Sequence, residues 1–303
     1  MQIADMLEVL QQQPWLLYGI AVLFGSVLGS FLNVVILRLP HILEAGWRRD
    51  CAEFMGTSTA PDPDPNPGTK DRAEPLTLSS PPSTCPACGH RIRFYENIPI
   101  LSYILLRGRC SACKTRISVR YPLIEVFTAL LTLIVVMHFG LDWQTPAALA
   151  LTWTLIALAF IDLDTQLLPD GLTLPMIWLG LILSLFDLFT DSHSSILGAV
   201  AGYLSLWAVF HLFRLATGKE GMGYGDFKLL ALFGAWLGWQ YLPQIVLLSA
   251  LTGAILGSLL IASGRHQSGK PLPFGPFLAS AGWISLIWGE AINDAYLRVS
   301  GLG

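Results

Sequence analysis

Long apolar stretches, broken by short polar segments, occupy most of this chain. They run Pro14–Leu37, Leu123–Gly140, Trp143–Ile161, Gly171–Phe189, Ser195–Leu215, Phe227–Trp239, Leu242–Ser263 and Pro273–Ile292. Most approach the roughly 20 residues that an α-helix needs to cross a bilayer core. The sixth is short, roughly 20 Å by helical rise, and extends through Tyr241 to approach that length. The pattern predicts an all-α polytopic membrane protein of about eight transmembrane helices.

Composition agrees. Of 303 residues, 53% are hydrophobic and 13% charged, against roughly 25% charged in a soluble domain. A net charge of −3 leaves no basic footprint for nucleic acid. The distribution of the basic residues is more informative. Twelve of the eighteen lie between Arg38 and Arg120, after the first span. Arg214, Lys219, Lys228, Arg265 and Lys270 fall on the same side if eight spans are counted, and only Arg298 falls opposite. The positive-inside rule then assigns that side to the cytoplasm and both termini to the periplasm. The acidic tail and the long first run argue against a cleaved signal peptide.

The chain divides accordingly. Residues 1–37 form a tail and first helix, and 38–122 a cytoplasmic domain inserted between the first and second helices. Residues 123–292 form a bundle and 293–303 a C-terminal tail. Within the cytoplasmic domain, Gly56–Thr84 is rich in Pro, Asp and Ser and reads as a solvated connector. No internal repeat is apparent along the chain.

Four of the five cysteines form two pairs, "CPACGH" (Cys85, Cys88) and "CSACK" (Cys110, Cys113), with 21 residues between them. Two C-x-x-C pairs at this separation point to a tetrahedral structural zinc site. A reducing cytosol argues against disulfides. A closed four-thiolate site has no open position for catalysis, so the metal folds the small domain. Cys51 stands outside the pairs and reads as a partly buried free thiol.

Two acidic clusters sit at predicted cytoplasmic membrane edges. "IDLDTQLLPDG" holds Asp162, Asp164 and Asp170 where the third span ends, and "GMGYGDFKLLA" holds Asp226 where the sixth begins. An Asp before a helix is a favoured N-cap, which suits Asp170 and also Asp226. The Gly-x-Gly spacing is not a dinucleotide loop, because no βαβ unit surrounds it. Asp162 directly follows "ALAFI" and lies deepest, whereas Asp164 points elsewhere if the helix continues. Deep acids in membrane spans are usually functional. Two close carboxylates in a low-dielectric site share a proton, so that one activates water while the other protonates the substrate.

Together, "GSFLNVVILRLP" (Gly29–Pro40), the paired C-x-x-C motifs, "RYPLIE" (Arg120–Glu125), "IDLDTQLLPD" and "GMGYGDFKLLA" resemble the bacterial type IV prepilin peptidases. These are leader peptidase/N-methyltransferases of the G-x-G-D intramembrane aspartyl protease type. The resemblance covers residues 14 to 292. It implies cleavage of the basic leader from prepilins and type II secretion pseudopilins on the cytoplasmic side. N-methylation of the new N-terminal residue with S-adenosylmethionine follows. By motif position the catalytic aspartates fall on Asp162 and Asp226, and the tetracysteine motif belongs with the domain associated with methylation. An inner-membrane address is implied, with lipid and the pilin substrates as partners. Gly221, Gly223 and Gly225 lack side chains, which would let an extended substrate backbone approach Asp226. Gly108, beside Cys110, and Glu125, at the membrane edge, are candidates for a part in methylation.

Two other function classes compete. A proton-coupled transporter also uses intramembrane acids, but its sites tend toward the bilayer midplane rather than one edge. A zinc-organised scaffold without chemistry leaves the G-x-G-D stretch unexplained.

Overall fold

A computed structural model describes residues 12–56, 76–219, 221–263 and 272–300. Most of the Pro-rich connector, both chain ends and the Arg265–Lys270 stretch lie outside the described residues. The helices are α1 (Pro14–Phe54), α2 (Leu101–Leu105), α3 (Arg120–Phe139), α4 (Gln144–Thr165), α5 (Asp170–Leu183), α6 (Ser192–Thr217), α7 (Tyr224–Leu237), α8 (Leu242–Ala262) and α9 (Gly275–Ser300). Among the described residues there are two isolated β-bridges and no strand. The protein is an all-helical membrane protein. Each predicted apolar run lies on a helix, and five helices are long and apolar enough to cross a bilayer. Their outward faces are apolar too: Leu23, Leu212 and Leu215 are all strongly exposed, as expected where lipid rather than water surrounds a helix.

The chain forms two compact units, Met1–Ile134 and Val135–Gly303. In the first, α1 does not stop at Leu37 as the domain division from sequence expected. It continues through the buried Pro40 to Phe54, so its polar second half belongs to the same helix. α1 packs on α3 through Gly25 and Gly29. A Cβ on Gly25 would lie 2.8 Å from the Ala129 Cα, and one on Gly29 would lie 2.7 Å from the Glu125 Cα. Small residues four apart let two backbones approach this closely. The Asn33 side chain donates to the Tyr121 carbonyl at 3.2 Å and fixes the register.

The second unit is built around α7. Every residue from Asp226 to Leu237 except Lys228 is buried. α6 crosses it through Gly198 and Gly202. A Cβ on Gly198 would strike the Gly234 carbonyl, and one on Gly202 would lie 2.7 Å from the Leu230 carbonyl oxygen. Ser195 donates to the Ala235 carbonyl at 2.6 Å across the same interface. α5 and α9 also offer glycines to α7. Gly180 underlies the Trp236 ring, whose Nε1 donates to the Met176 carbonyl at 2.8 Å. Gly282 underlies Phe233. α9 is tied to α4 by the Trp283 indole, which donates to Thr152 Oγ1 at 3.0 Å. The shortest of the apolar runs is therefore the core of its unit.

Candidate active site

α4 carries its carboxylate near its C-terminal end. Gln166 caps the helix in the left-handed region (φ 57°), its N–H bonded to the Asp162 carbonyl at 2.9 Å. Leu167 and Leu168 then lead to Pro169, and α5 begins at Asp170. Asp162 is buried and Asp164, two residues on, is exposed, as the helix-face argument expects.

Asp226 sits in the first turn of α7, where Gly223 is the N-cap with extended backbone. Asp226 is thus the third helical residue rather than the cap. Its carboxylate accepts from the Gly223 backbone N–H, half of a capping box. Asp170 is not the N-cap of its helix either, that position being Pro169. It is the first residue of α5, and its two carboxylate oxygens accept from Lys228 Nζ at 2.6 and 2.8 Å. This pair joins the starts of α5 and α7.

Asp162 and Asp226 are 5% and 6% exposed, and their carboxylates interact electrostatically. Two acids 64 positions apart in the chain, from Asp162 to Asp226, thus share one buried site. A third segment joins them that sequence reading missed. The Gly275 N–H, at the start of α9, donates to Asp162 Oδ2 at 3.0 Å. That partner is 113 positions away, and only the short "PFGP" turn signal marks the place.

The three glycines before Asp226 behave differently from one another. A Cβ on Gly221 would lie 2.9 Å from the Phe213 ring and one on Gly225 2.7 Å from the Leu168 Cβ. The protein's own side chains fill both spaces, so these two glycines serve internal packing. Only Gly223 faces open space, with Asp226 Oδ2 3.9 Å from its would-be Cβ.

In the first unit the four sulfurs of Cys85, Cys88, Cys110 and Cys113 lie within 4.8 Å of one another. Cys85–Cys113 and Cys88–Cys110 are 3.8 and 4.0 Å apart. Thiolates at about 2.3 Å from a tetrahedral zinc would be about 3.8 Å apart, so the cluster fits such an ion. Two equivalent turns hold it. Cys85 N–H bonds the His90 carbonyl as Cys110 N–H bonds that of Thr115, both at 2.9 Å. Gly89 and Lys114 both adopt positive φ, and the bridges Thr84–Arg91 and Arg109–Arg116 close the two turns. The turns are an internal repeat after all, C-x-A-C-x-x-R-I at Cys85–Ile92 and Cys110–Ile117, too short to stand out beside the helices. Glu96 links them. It accepts from the Arg93 N–H at 2.9 Å and lies 3.3 Å from His90. That backbone donor, with Ser111 and His90, holds its carboxyl down at about 2. Cys51, outside the cluster, is exposed rather than partly buried.

Gly108 and Glu125 grip the two ends of α2. Glu125, 8% exposed, accepts from the Ile100 N–H at 2.7 Å, and Ile100 holds φ 62° to begin the helix. Gly108 (φ +65°) closes the far end, its N–H bonded to the Tyr103 carbonyl at 2.8 Å. A Cβ there would lie 2.8 Å from the Tyr103 ring.

Comparison with known proteins agrees over both units. Residues 23–139 match the bacterial peptidase A24 N-terminal domain, and residues 149–258 match the type IV leader peptidase family. The chain is 51% identical over 296 residues to the prepilin leader peptidase/N-methyltransferase of Pseudomonas aeruginosa, covering 98% of this chain and 99% of that protein. Identity to the protein of the same name from Aeromonas salmonicida is 51% over 292 residues, covering 96% and 98%. For that from Xanthomonas campestris it is 46% over 294 residues, covering 97% and 99%. No solved structure matches the chain. With both family regions in order and near-complete coverage of its relatives, this chain belongs to the type IV leader peptidase family.

Proposed function

We infer that this protein is an intramembrane aspartyl peptidase and N-methyltransferase. It removes the leader from type IV prepilins and type II secretion pseudopilins at the cytoplasmic face of the inner membrane, then methylates the new N-terminus. The observation that carries the reading is the Asp162–Asp226 pair, two buried carboxylates at helix ends that lie close enough to interact electrostatically. Relatives named for this activity support it across the whole length. The one-sided distribution of the basic residues, all but Arg298 on one face when eight spans are counted, supports a cytoplasmic site and eight crossings.

In the cleavage step one carboxylate takes a proton from water as the water oxygen attacks the scissile carbonyl carbon. The other, as the acid, protonates the carbonyl oxygen. Collapse of the tetrahedral intermediate breaks the C–N bond, and the departing amine takes a proton from the pair. The leader keeps the new carboxyl group. The open face beside Gly223 is where a substrate backbone approaches Asp226.

The four cysteines would hold zinc as a structural ion, which would cross-link the two turns and leave no open position for chemistry. S-adenosylmethionine supplies an electrophilic methyl group. Gly108 and Glu125 do not offer it an open face, because Tyr103 fills the first and Ile100 engages the second. Their part in methylation is to fix α2.

The test is incubation of purified full-length protein with a prepilin, reading leader release and N-terminal mass together. A shortened product that gains one methyl group when S-adenosylmethionine is added is expected. Intact prepilin after incubation with folded protein would overturn the reading.

A further inference from the structure

Three separate stretches of chain meet at the aspartate pair: the end of α4 with its following turn, the start of α7, and the start of α9. The first turn of α9 has few free donors. Pro276 has no N–H, and those of Phe277 and Leu278 both bond the Phe274 carbonyl at 3.1 Å. The Gly275 N–H turns outward to Asp162 Oδ2, in a buried hydrogen bond. The approach tolerates no side chain, since a Cβ on Gly275 would lie 2.6 Å from that oxygen and 3.1 Å from Cγ. Leu168, in the turn after α4, meets both of the other segments. Its Cβ would be 2.7 Å from a Cβ on Gly225, the residue before Asp226, and its Cδ2 3.3 Å from one on Gly275. One side chain therefore lies against the backbones on which Asp226 and the Asp162 hydrogen bond depend.

We propose that Gly275 and Leu168 are positioning residues of the aspartate pair, Gly275 by holding and aiming the Asp162 carboxylate and Leu168 by setting its spacing from Asp226. The proposal rests on the reading of that pair as the hydrolytic centre. Neither residue does chemistry. Both act through geometry, and a displacement of about 1 Å in such a site costs on the order of 100-fold in rate.

The experiment uses full-length protein in membranes and a prepilin substrate, with Asp162→Asn as the reference for the centre itself. Gly275→Ala should lower kcat about 100-fold while leaving KM within about threefold, because substrate binding is not what it disturbs. Leu168→Ala, which removes the part of the side chain that lies against Gly275, should lower kcat at least about tenfold with KM little changed, whereas Leu168→Met, which keeps the volume, should retain most of the activity. Should Gly275→Ala fail to accumulate in the membrane, the comparison of Leu168→Ala with Leu168→Met at equal protein level decides. Wild-type kcat in Gly275→Ala or in Leu168→Ala overturns the proposal alone. Full activity of Asp162→Asn would instead overturn the reading beneath it.

Discussion

A carboxylate at the edge of an apolar helix is costly to bury unless its oxygens find donors, and both buried aspartates here do. Asp162 takes the Gly275 N–H and Asp226 takes the Gly223 N–H. Asparagine has nearly the same shape and can accept the same bonds, so it separates chemistry from folding. Asp162→Asn and Asp226→Asn should each lower leader cleavage by at least about 100-fold, the scale of general acid–base contributions, with normal amounts of protein in the membrane. Asp164→Asn should stay within about threefold of wild type, as an exposed position outside the site. A cleavage assay on membranes carrying each variant checks all three, and an inactive Asp164→Asn beside an active Asp162→Asn would reverse the assignment. The depth of Asp162 was legible because five apolar residues run directly into it. The contact with Gly275 was not, since no local pattern records a bond across 113 positions. Nor was the partner of Asp170. A helix-initial acid reads as a cap, and only the fold brings Lys228 to it.

At the level of elements, apolar run length found every long helix but not how the helices pack. α7 comes from the shortest of the apolar runs, yet length measures a bilayer crossing and says nothing about burial. Its neighbours' glycines carried that information: Gly198 and Gly202 on α6, Gly180 on α5 and Gly282 on α9 all face it. Gly198→Val would force apart two backbones in contact. It should lower stability by about 1–3 kcal/mol or more, seen as a lower thermal midpoint of the detergent-solubilised protein. Gly171→Ala, where nothing lies within 4 Å of the new methyl, should leave that midpoint unchanged or slightly raised. An equal loss in both would mean that the α6–α7 crossing is not as close as described. The two cysteine turns make a second test at this scale. About one zinc per chain is expected by elemental analysis. Cys110→Ser, at the buried ligand, should lose it and open the Arg91–Arg116 region to trypsin, because metal binding energy is folding energy for so small a domain. Absence of any metal, with all four thiols freely alkylated, would remove the structural ion from the account.

The residues proposed for the two steps fall in two separate units of the chain. The first unit contains the cysteine cluster and the α2 clamp of Glu125 and Gly108, and the second contains both aspartates. Hydrolysis needs a carboxylate pair that shares a proton. Methyl transfer needs a deprotonated amine aligned with an electrophilic carbon, which is a demand on position rather than on acids. The two steps therefore have no need of common groups, and damage to one unit should not fall equally on both. Glu125→Gln keeps the side-chain size and an acceptor for the Ile100 N–H, whereas Glu125→Ala leaves that half-buried donor without its partner. The loss of a hydrogen bond to a charged group is worth about 1.5–3 kcal/mol, enough to release one end of α2. Gly108→Ala strains the other end, where φ is positive and Tyr103 occupies the space. Both Glu125→Ala and Gly108→Ala should yield pilin that is correctly cleaved but lacks one methyl group by mass, with Glu125→Gln methylating more than Glu125→Ala. If methylation and cleavage instead fall in proportion in every such variant, the separation of the two activities between the units is wrong, and a single site must serve both reactions.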